Sequence, residues 1–260
     1  MRLPSTKLLS VISSNIRYDE PQDKQHCWEN RRDFLASCLL EYCPDLLATQ
    51  EGKHPQLQDM ADRLTSLRCA DAHRRWEASL MYPCIFYNPD TLTLRESGDI
   101  WLSESPATIG SSSFGSQYAR LCTWAFFDND LLAVNVHLDD LKPDTRLHQI
   151  RVLMEQVDAL GMKSSMLLMG DFNESPEGRV RALINEVWPT LQDPWQELGQ
   201  KEEPSHHKFL ETIDYASRVD WILTDAALQA QEILLDKSRS EQGLYPSDHY
   251  LLKARFLVPD

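Results

Sequence analysis

No run of apolar residues in this chain approaches the roughly 18 needed for a membrane-spanning helix. After Arg2 and Lys7 comes only Leu-Leu-Ser-Val-Ile, too short for the apolar core of a secretion signal. None of the cysteines (Cys27, Cys38, Cys43, Cys69, Cys84 and Cys122) forms a Cys-x-x-Cys pair, and most sit in apolar or aromatic runs. That argues against a disulfide framework and reads as reduced, partly buried thiols. Together these features predict a cytoplasmic protein with no membrane partner. Positive charge is scarce: 26 Lys and Arg face 40 Asp and Glu, a net charge of -14. Charge-driven binding to duplex nucleic acid or an anionic membrane is disfavoured, because neutralising phosphates takes Lys and Arg. A local basic patch or metal-assisted chemistry remains compatible with this balance. No low-complexity tract or long linker divides the chain, so residues 1–260 are expected to form one domain.

At 42% apolar and 25% charged, the composition is that of a globular protein long enough to bury most of its apolar surface. Residues 7–15 read as a strand ending in an amide. Residues 29–42 carry apolar side chains at helical spacing, and Pro44 stops them. Residues 45–51 are a second buried strand, ending in a carboxylate, and 55–67 a second amphipathic helix. Residues 79–87 and 91–102 read as neighbouring strands joined at Asn88-Pro89-Asp90. Residues 103–117, rich in Ser, Gly and Pro, form a loop. Residues 120–127 and 131–138 read as a hairpin around Asp128-Asn129-Asp130. A helix covers 145–160 and ends at Gly161, and a shorter one lies near 176–187. Residues 188–215 are polar and loop-like. Strands are expected at 219–223, 228–235 and 250–258. Strand, loop, helix and strand occur twice, ending at Glu51 and at Asp171, which suggests two packed sheets flanked by helices.

The most informative stretch is Met166-Leu167-Leu168-Met169-Gly170-Asp171-Phe172-Asn173. Four apolar residues read as a buried strand, and the glycine relaxes the backbone at its end. Asp171 and Asn173 lie two apart, so in extended backbone both leave on the same side. Oxygen ligands there suit a hard cation such as Mg2+. Taken alone, the same residues suit an ordinary Asx turn. Asn15, Glu51, His137, Asp220, Asp248 and His249 also sit at or beside apolar strands, and each alone has an ordinary reading as a turn, cap or interior polar group. If the strand ends converge, carboxylates and amides could hold a divalent cation while histidines move protons or bind an anion.

Six runs, in order, carry a resemblance. They are Ser-Asn-Ile-Arg-Tyr-Asp (14–19), Thr-Gln-Glu (49–51), Asn-Val-His-Leu-Asp (135–139), Gly-Asp-Phe-Asn (170–173), Arg-Val-Asp-Trp-Ile (218–222) and Pro-Ser-Asp-His (246–249). The set resembles the endonuclease/exonuclease/phosphatase superfamily over almost the whole chain, nearest the bacterial branch with an Asn-Ile-Arg-Tyr-Asp start. Trp28-Glu29-Asn30-Arg31-Arg32, Ile85-Phe86-Tyr87 and Trp101-Leu102-Ser103-Glu104-Ser105-Pro106 look like that branch too.

The resemblance implies an α/β fold, a four-layer α/β/β/α sandwich of the DNase I-like kind, and Mg2+- or Mn2+-dependent phosphoester hydrolysis. By position, Glu51 would be the principal metal ligand, with Asn15 and Asp248 helping to fix the ion. Asp171 would activate the attacking water and Asn173 would hold the phosphate. His249 would bind a phosphate oxygen and aid proton transfer, oriented by Asp220, and His137 would contact the phosphate from the other side. Arg120 and Arg146 fall where relatives carry arginines near the site, and His206 and His207 in a loop that often brings a histidine to the cleft, with His207 slightly preferred. Tyr18, Trp28 and Trp101 could line the cleft or simply pack in the core. One departure stands out. Met81 takes the place of a glutamate that pairs in relatives with the histidine matching His137.

The expected function is a metal-dependent phosphoesterase. The acidic balance and the lack of a basic stretch weigh against a processive duplex nuclease. A single-stranded nucleic acid or a small phosphorylated molecule fits better as substrate. The alternative is a catalytically silent binding protein on the same fold, but no member of the catalytic set is missing.

Overall fold

Two strand–helix–strand units set the architecture. In the first, strand β1 (Lys7–Asn15) leads through helix α1 (Trp28–Glu41) to β2 (Leu46–Gly52), and the two strands pair in parallel. Helix α2 (His54–Arg63), the short β3 (Arg68–Cys69) and β4 (Tyr82–Tyr87) follow. Strands β5 (Leu94–Trp101) and β6 (Leu121–Phe127) lead to the second unit. It consists of β7 (Leu131–His137), helix α3 (Pro143–Ala159) and β8 (Ser165–Asp171), again with the strands parallel. Helices α4 (Arg179–Val187) and α5 (Pro194–Glu197) and strands β9 (Asp220–Thr224), β10 (Gln229–Asp236) and β11 (Leu251–Val258) complete the order. This computed structural model describes residues 7–162, 165–210 and 216–258; Arg2 and the last part of the 188–215 loop lie outside the described residues.

The strands form two mixed sheets. One has the order β10-β11-β1-β2-β4-β3, the other β5-β6-β7-β8-β9. Alternation along each strand sends one set of side chains between the sheets and the other outward. Val11, Leu46, Ala48 and Ile85 meet Ala125, Ala133, Met169 and Ile222 in the layer between them. Outside the first sheet, Ile12, Leu47 and Phe86 pack on Leu35 and Leu39 of α1 and on Leu57 and Met60 of α2. Outside the second, Val134 and Leu168 pack on Ile150 and Leu153 of α3 and on Val180 and Ile184 of α4. Helix, sheet, sheet and helix are therefore the layers, the α/β arrangement expected from the two echoing halves.

One expectation is corrected. Strands β4 and β5 follow each other across Asn88-Pro89-Asp90 but do not pair, because β4 lies in the first sheet and β5 in the second. The turn carries the chain from sheet to sheet, with Asn88 N bonded to Asp45 O and Asp128 N to Thr93 O. The physical reason is burial. Every residue of β4 is buried, as suits a strand between β2 and β3, whereas β5 is half exposed, as suits an edge.

Strand direction brings the polar residues together. The parallel pairs β1/β2 and β7/β8 place the carboxyl ends of all four strands at one edge. Strands β9 and β11 run antiparallel to β8 and β1, so their amino ends reach the same edge.

Candidate active site

Asn15, Glu51, His137 and Asp171 come from strand ends, Asp220 opens β9, and Asp248 and His249 lie just before β11. Glu51 sits in a break of the β2–β4 ladder, where the register shifts between Thr49 and Gly52. Its φ is +67°, and Arg17 and Asn173 are also left-handed, at +54° and +51°. Residues with a side chain adopt this region at a cost, and such strain gathers at functional sites. Gly170, at φ +138°, lets β8 approach β7 closely enough that a Cβ would lie 2.0 Å from the Val136 carbonyl oxygen.

Asn15 joins the two sheets at the centre. Its Nδ2 donates to Glu51 Oε1 and to Asp171 Oδ2, both at 3.0 Å. Its Oδ1 accepts from the backbone N–H of Arg17, and Glu51 Oε2 accepts from that of Tyr18. Asp171 Oδ1 accepts from the Asn173 N–H at 2.9 Å, and Asn173 Nδ2 donates to Leu138 O. His137 Nε2 lies 3.6 Å from Asp171 Oδ2 and 4.0 Å from Glu51 Oε1. On the other side His249 Nε2 is 3.8 Å from Asp171 Oδ2, and its Nδ1 is 2.8 Å from Asp220 Oδ2. Ser205 Oγ donates to the same Asp220 oxygen at 2.6 Å.

Charge is divided between the two histidines. Burial alone would lower the His249 pKa, but Asp220, by charge and hydrogen bond, and then Asp171 and Asp248 outweigh it and raise the value to about 10. His249 is therefore an imidazolium at neutral pH. Burial, the Arg120 charge and the His249 charge hold His137 well below the ordinary histidine value, so it is neutral. Arg120 Nη1 lies 2.9 and 3.0 Å from the His137 ring nitrogens, and its Nη2 donates to Asp140. Arg120 is thus a closer charged partner of His137 than Asp171, and Met81 lines the cleft beside them. Burial and the Asp220 charge raise Asp171 to about 7, against the pull of His249. Burial opposes ionisation of Asp248, but the His206 hydrogen bond and the His249 charge prevail and hold it below the usual carboxylate range.

These groups open into a cleft of about 380 Å³ lined by Glu51, His137, Asp171, Asn173, Asp248 and His249. Asn15 and Asp220 are buried beneath it. His206, the other candidate histidine of its loop, also lines it, as do Arg17, Lys53, Ser79, Tyr118 and Asp140, which the sequence had not singled out. Three of those five were within reach of the motifs. Arg17 lies inside the Asn-Ile-Arg-Tyr-Asp run, Lys53 two residues past Glu51, and Asp140 one past the Asn-Val-His-Leu-Asp run. Ser79, Tyr118 and Ser205 carry no local signal.

Two expected substrate contacts are not on the cleft wall. Arg146 Nη1 donates to Asp139 O at 3.1 Å and its Nη2 lies 3.6 Å from Glu174, since a buried guanidinium must find acceptors. His207 is turned away between the rings of Tyr245 and Tyr250, while its backbone N–H binds Asp248 O. The cleft histidine is His206, which stacks on His249 at 4.1 Å and lies 3.6 Å from Asp248. Of the aromatic candidates, Trp28 and Trp101 are buried, and only Tyr18 lines the cleft.

Among the described residues, ligand atoms group in three overlapping sets: Glu51, His137 and Asp171; Asp171, Asp220 and His249; His206, Asp248 and His249. The first is rich in carboxylate oxygen and open to the cleft, and it suits a hard divalent cation. Asp248 groups with the histidines and not with Glu51.

The sequence profile of the Endonuclease/Exonuclease/phosphatase family matches residues 12–249, from β1 to His249. The chain belongs to that family. No curated protein matches it in sequence. Solved structures of family members share its fold. An endonuclease/exonuclease/phosphatase from Bacteroides vulgatus is 21% identical, with a TM-score of 0.87 over 98% of this chain and 100% of that one. A mannosyl-6-phosphatase from Bacteroides thetaiotaomicron is 22% identical, with a TM-score of 0.81 over 95% and 99%. D. rerio TDP2, complexed with a single-strand DNA product, is 22% identical, with a TM-score of 0.73 over 96% and 99%. At these identities the likeness shows the fold. Members of the family are phosphoester hydrolases, and the acidic and histidine clusters here are compatible with a metal.

Proposed function

We propose that this family member is a Mg2+- or Mn2+-dependent phosphoesterase acting on a small phosphorylated molecule. The observation that carries the reading is the Asn15 bridge, which holds the Glu51 and Asp171 carboxylates side by side between a neutral and a charged histidine. Glu51 would hold the cation, with Asn15 fixing its carboxylate and Asp248 close by. Such a cation neutralises the phosphate and stabilises the leaving oxygen. Asp171, poised near neutral pH, takes the proton of the attacking water. Asn173 and His249 hold phosphate oxygens, and Asp220 keeps His249 oriented and protonated. His137, neutral and backed by Arg120, contacts the phosphate from the opposite side.

The small substrate is supported by the cleft itself. Its volume suits a compact ligand, and Trp28 and Trp101 are not free to stack on a base. The Tyr18 ring already carries Arg17 at 4.2 Å and Lys53 at 5.1 Å. A hydroxyl-rich phosphoester, of the kind named for the mannosyl-6-phosphatase, fits the polar rim of Lys53, Ser79 and Asp140.

The test is a substrate panel with Mg2+ and Mn2+: sugar phosphates, a generic monoester and diester, and single- and double-stranded oligonucleotides. The expected result is metal-dependent release of phosphate from small esters, abolished in Glu51→Ala and Asp171→Ala. Faster cleavage of oligonucleotides would overturn the substrate reading. Undiminished hydrolysis in both variants would overturn the site.

A further inference from the structure

The site is built half on each sheet, and the layer between the sheets is mostly Ala, Leu, Ile and Met. Apolar packing is non-directional, so it fixes the spacing of two sheets better than their lateral offset. Yet the cross-sheet distances, such as the 3.0 Å between Asn15 and Asp171, require that offset to be set.

Polar side chains cross the layer below the site, and Asn135 makes the most bonds among them. Asn135, on β7 and fully buried, makes three hydrogen bonds to the first sheet. Its Oδ1 accepts from Gln50 Nε2 at 2.8 Å, and its Nδ2 donates to Thr49 O at 2.9 Å and to Cys84 O at 2.8 Å. Thr49 and Cys84 are opposite each other in the β2–β4 ladder, at the step where its register breaks. Asn135 therefore bonds the carbonyls at the bulge that turns Glu51 into the cleft. Gln50 is the residue before Glu51, and Asn135 stands two before His137 on the same face. Beside it, Thr123 pairs with Asn135 across β6 and β7, and its hydroxyl reaches Pro83 O of the first sheet at 2.7 Å.

We propose that Asn135 is a positioning residue for the reaction. It locks the lateral offset of the sheets and the bulge at Glu51, and so sets where Glu51 stands relative to His137 and Asp171. This rests on the phosphoesterase reading for its kinetic consequence, but not for its structural one. The bonds are directional and buried, so each is costly to leave unmade. Asn135→Asp keeps the acceptor for Gln50 and loses the donor to both carbonyls. Asn135→Leu loses all three bonds at similar volume.

The experiment compares these variants with Val134→Ala, a cavity on the opposite face of β7, where Val134 belongs to the outer core. Catalysis is measured per folded molecule, and amide hydrogen exchange is followed in the peptides covering 49–53 and 135–139. The expected result is a fall in kcat of at least about 10-fold in both Asn135 variants, KM little changed, because small misplacements of reacting groups cost rate. Exchange at 49–53 quickens in both, and Val134→Ala shows neither effect at a comparable loss of Tm. If Asn135→Leu does not fold, Gln50→Leu, which removes one of the three bonds, shows the same pattern more weakly. Unchanged exchange at 49–53, or equal kinetic losses in Val134→Ala, would overturn the proposal. If the parent protein hydrolyses no phosphoester, the functional reading fails alone, and the exchange data still decide the role of Asn135.

Discussion

Replacing Gly170 with alanine tests whether the fold and the site share one weak point. A Cβ there would stand 2.0 Å from Val136 O and 2.9 Å from Val136 C and N, where ordinary contact begins at 3.4 Å. The Val136 and Gly170 backbones would have to part by about 1.4 Å, the difference between 3.4 and 2.0 Å. Backbone held at φ +138° costs a residue with a side chain about 1–3 kcal/mol. Parting the strands sacrifices ladder bonds worth about 1 kcal/mol each. The sum is about 3 kcal/mol or more, which in a chain of this size lowers Tm by roughly 6–12 °C. The site moves as well, because His137 and Asp171 are the next pair in the same register. A displacement of about 1 Å in reacting groups is worth about 100-fold in rate. Urea unfolding and phosphate release measure the two effects on one preparation. If Gly170→Ala unfolds within about 1 kcal/mol of the parent and keeps its rate, the close β7–β8 approach does not control the site.

Asp220→Asn removes the charge that holds His249 protonated. Its kcat should fall about 100- to 10,000-fold, the usual range for a proton-transfer group, and the alkaline limb of the kcat–pH profile should move to lower pH; an unmoved limb would refute the pairing. His207→Phe should keep near-parental activity, because the imidazole is packed between two tyrosines away from the cleft, while His206→Ala should lower it. The reverse ranking would restore His207 to the substrate. Burial opposes ionisation of Asp99, but its bonds to His73 and Arg74 prevail and lower its pKa from 3.8 to about 2. The folded value is below the unfolded one, so this stability is present above pH 3.8 and is lost as the pH falls towards 2. It amounts to about 2 kcal/mol. Acid unfolding followed by circular dichroism should be shallower over that window in Asp99→Asn, and an identical slope would refute the assignment.

The strands and their polar ends were legible in the sequence because alternation and terminal carboxylates are local signals. Residues 7–15 are a strand as expected, and the run ending at Asp171 is β8. Partnering was less legible. Asn88-Pro89-Asp90 suits a hairpin as well as a passage between sheets, and only the burial of β4 on both faces separates them. His206 and His207 are adjacent and chemically identical. Their opposite directions follow from the bridge between His206 and His249, a contact across 43 positions, from 206 to 249. The polar lining from Ser79 and Tyr118 and the support of Asp220 by Ser205 come from loops whose course depends on the assembled sheets. The strand-end carboxylates needed no such knowledge, only their place after apolar runs.

The Asn15 bridge has a consequence for linkage. Glu51 belongs to one sheet, with Asp248 just before that sheet's β11, and His137, Asp171 and Asp220 belong to the other, so a ligand touching both sets binds the docked sheets and neither sheet alone. By mass action its binding free energy adds to docking, about 2.7 kcal/mol when it stands 100-fold above its Kd. Substrate and cation then act as a staple between two layers otherwise joined chiefly by apolar contact. The resistance of the protein to unfolding becomes a readout of occupancy, available before any reaction has been identified.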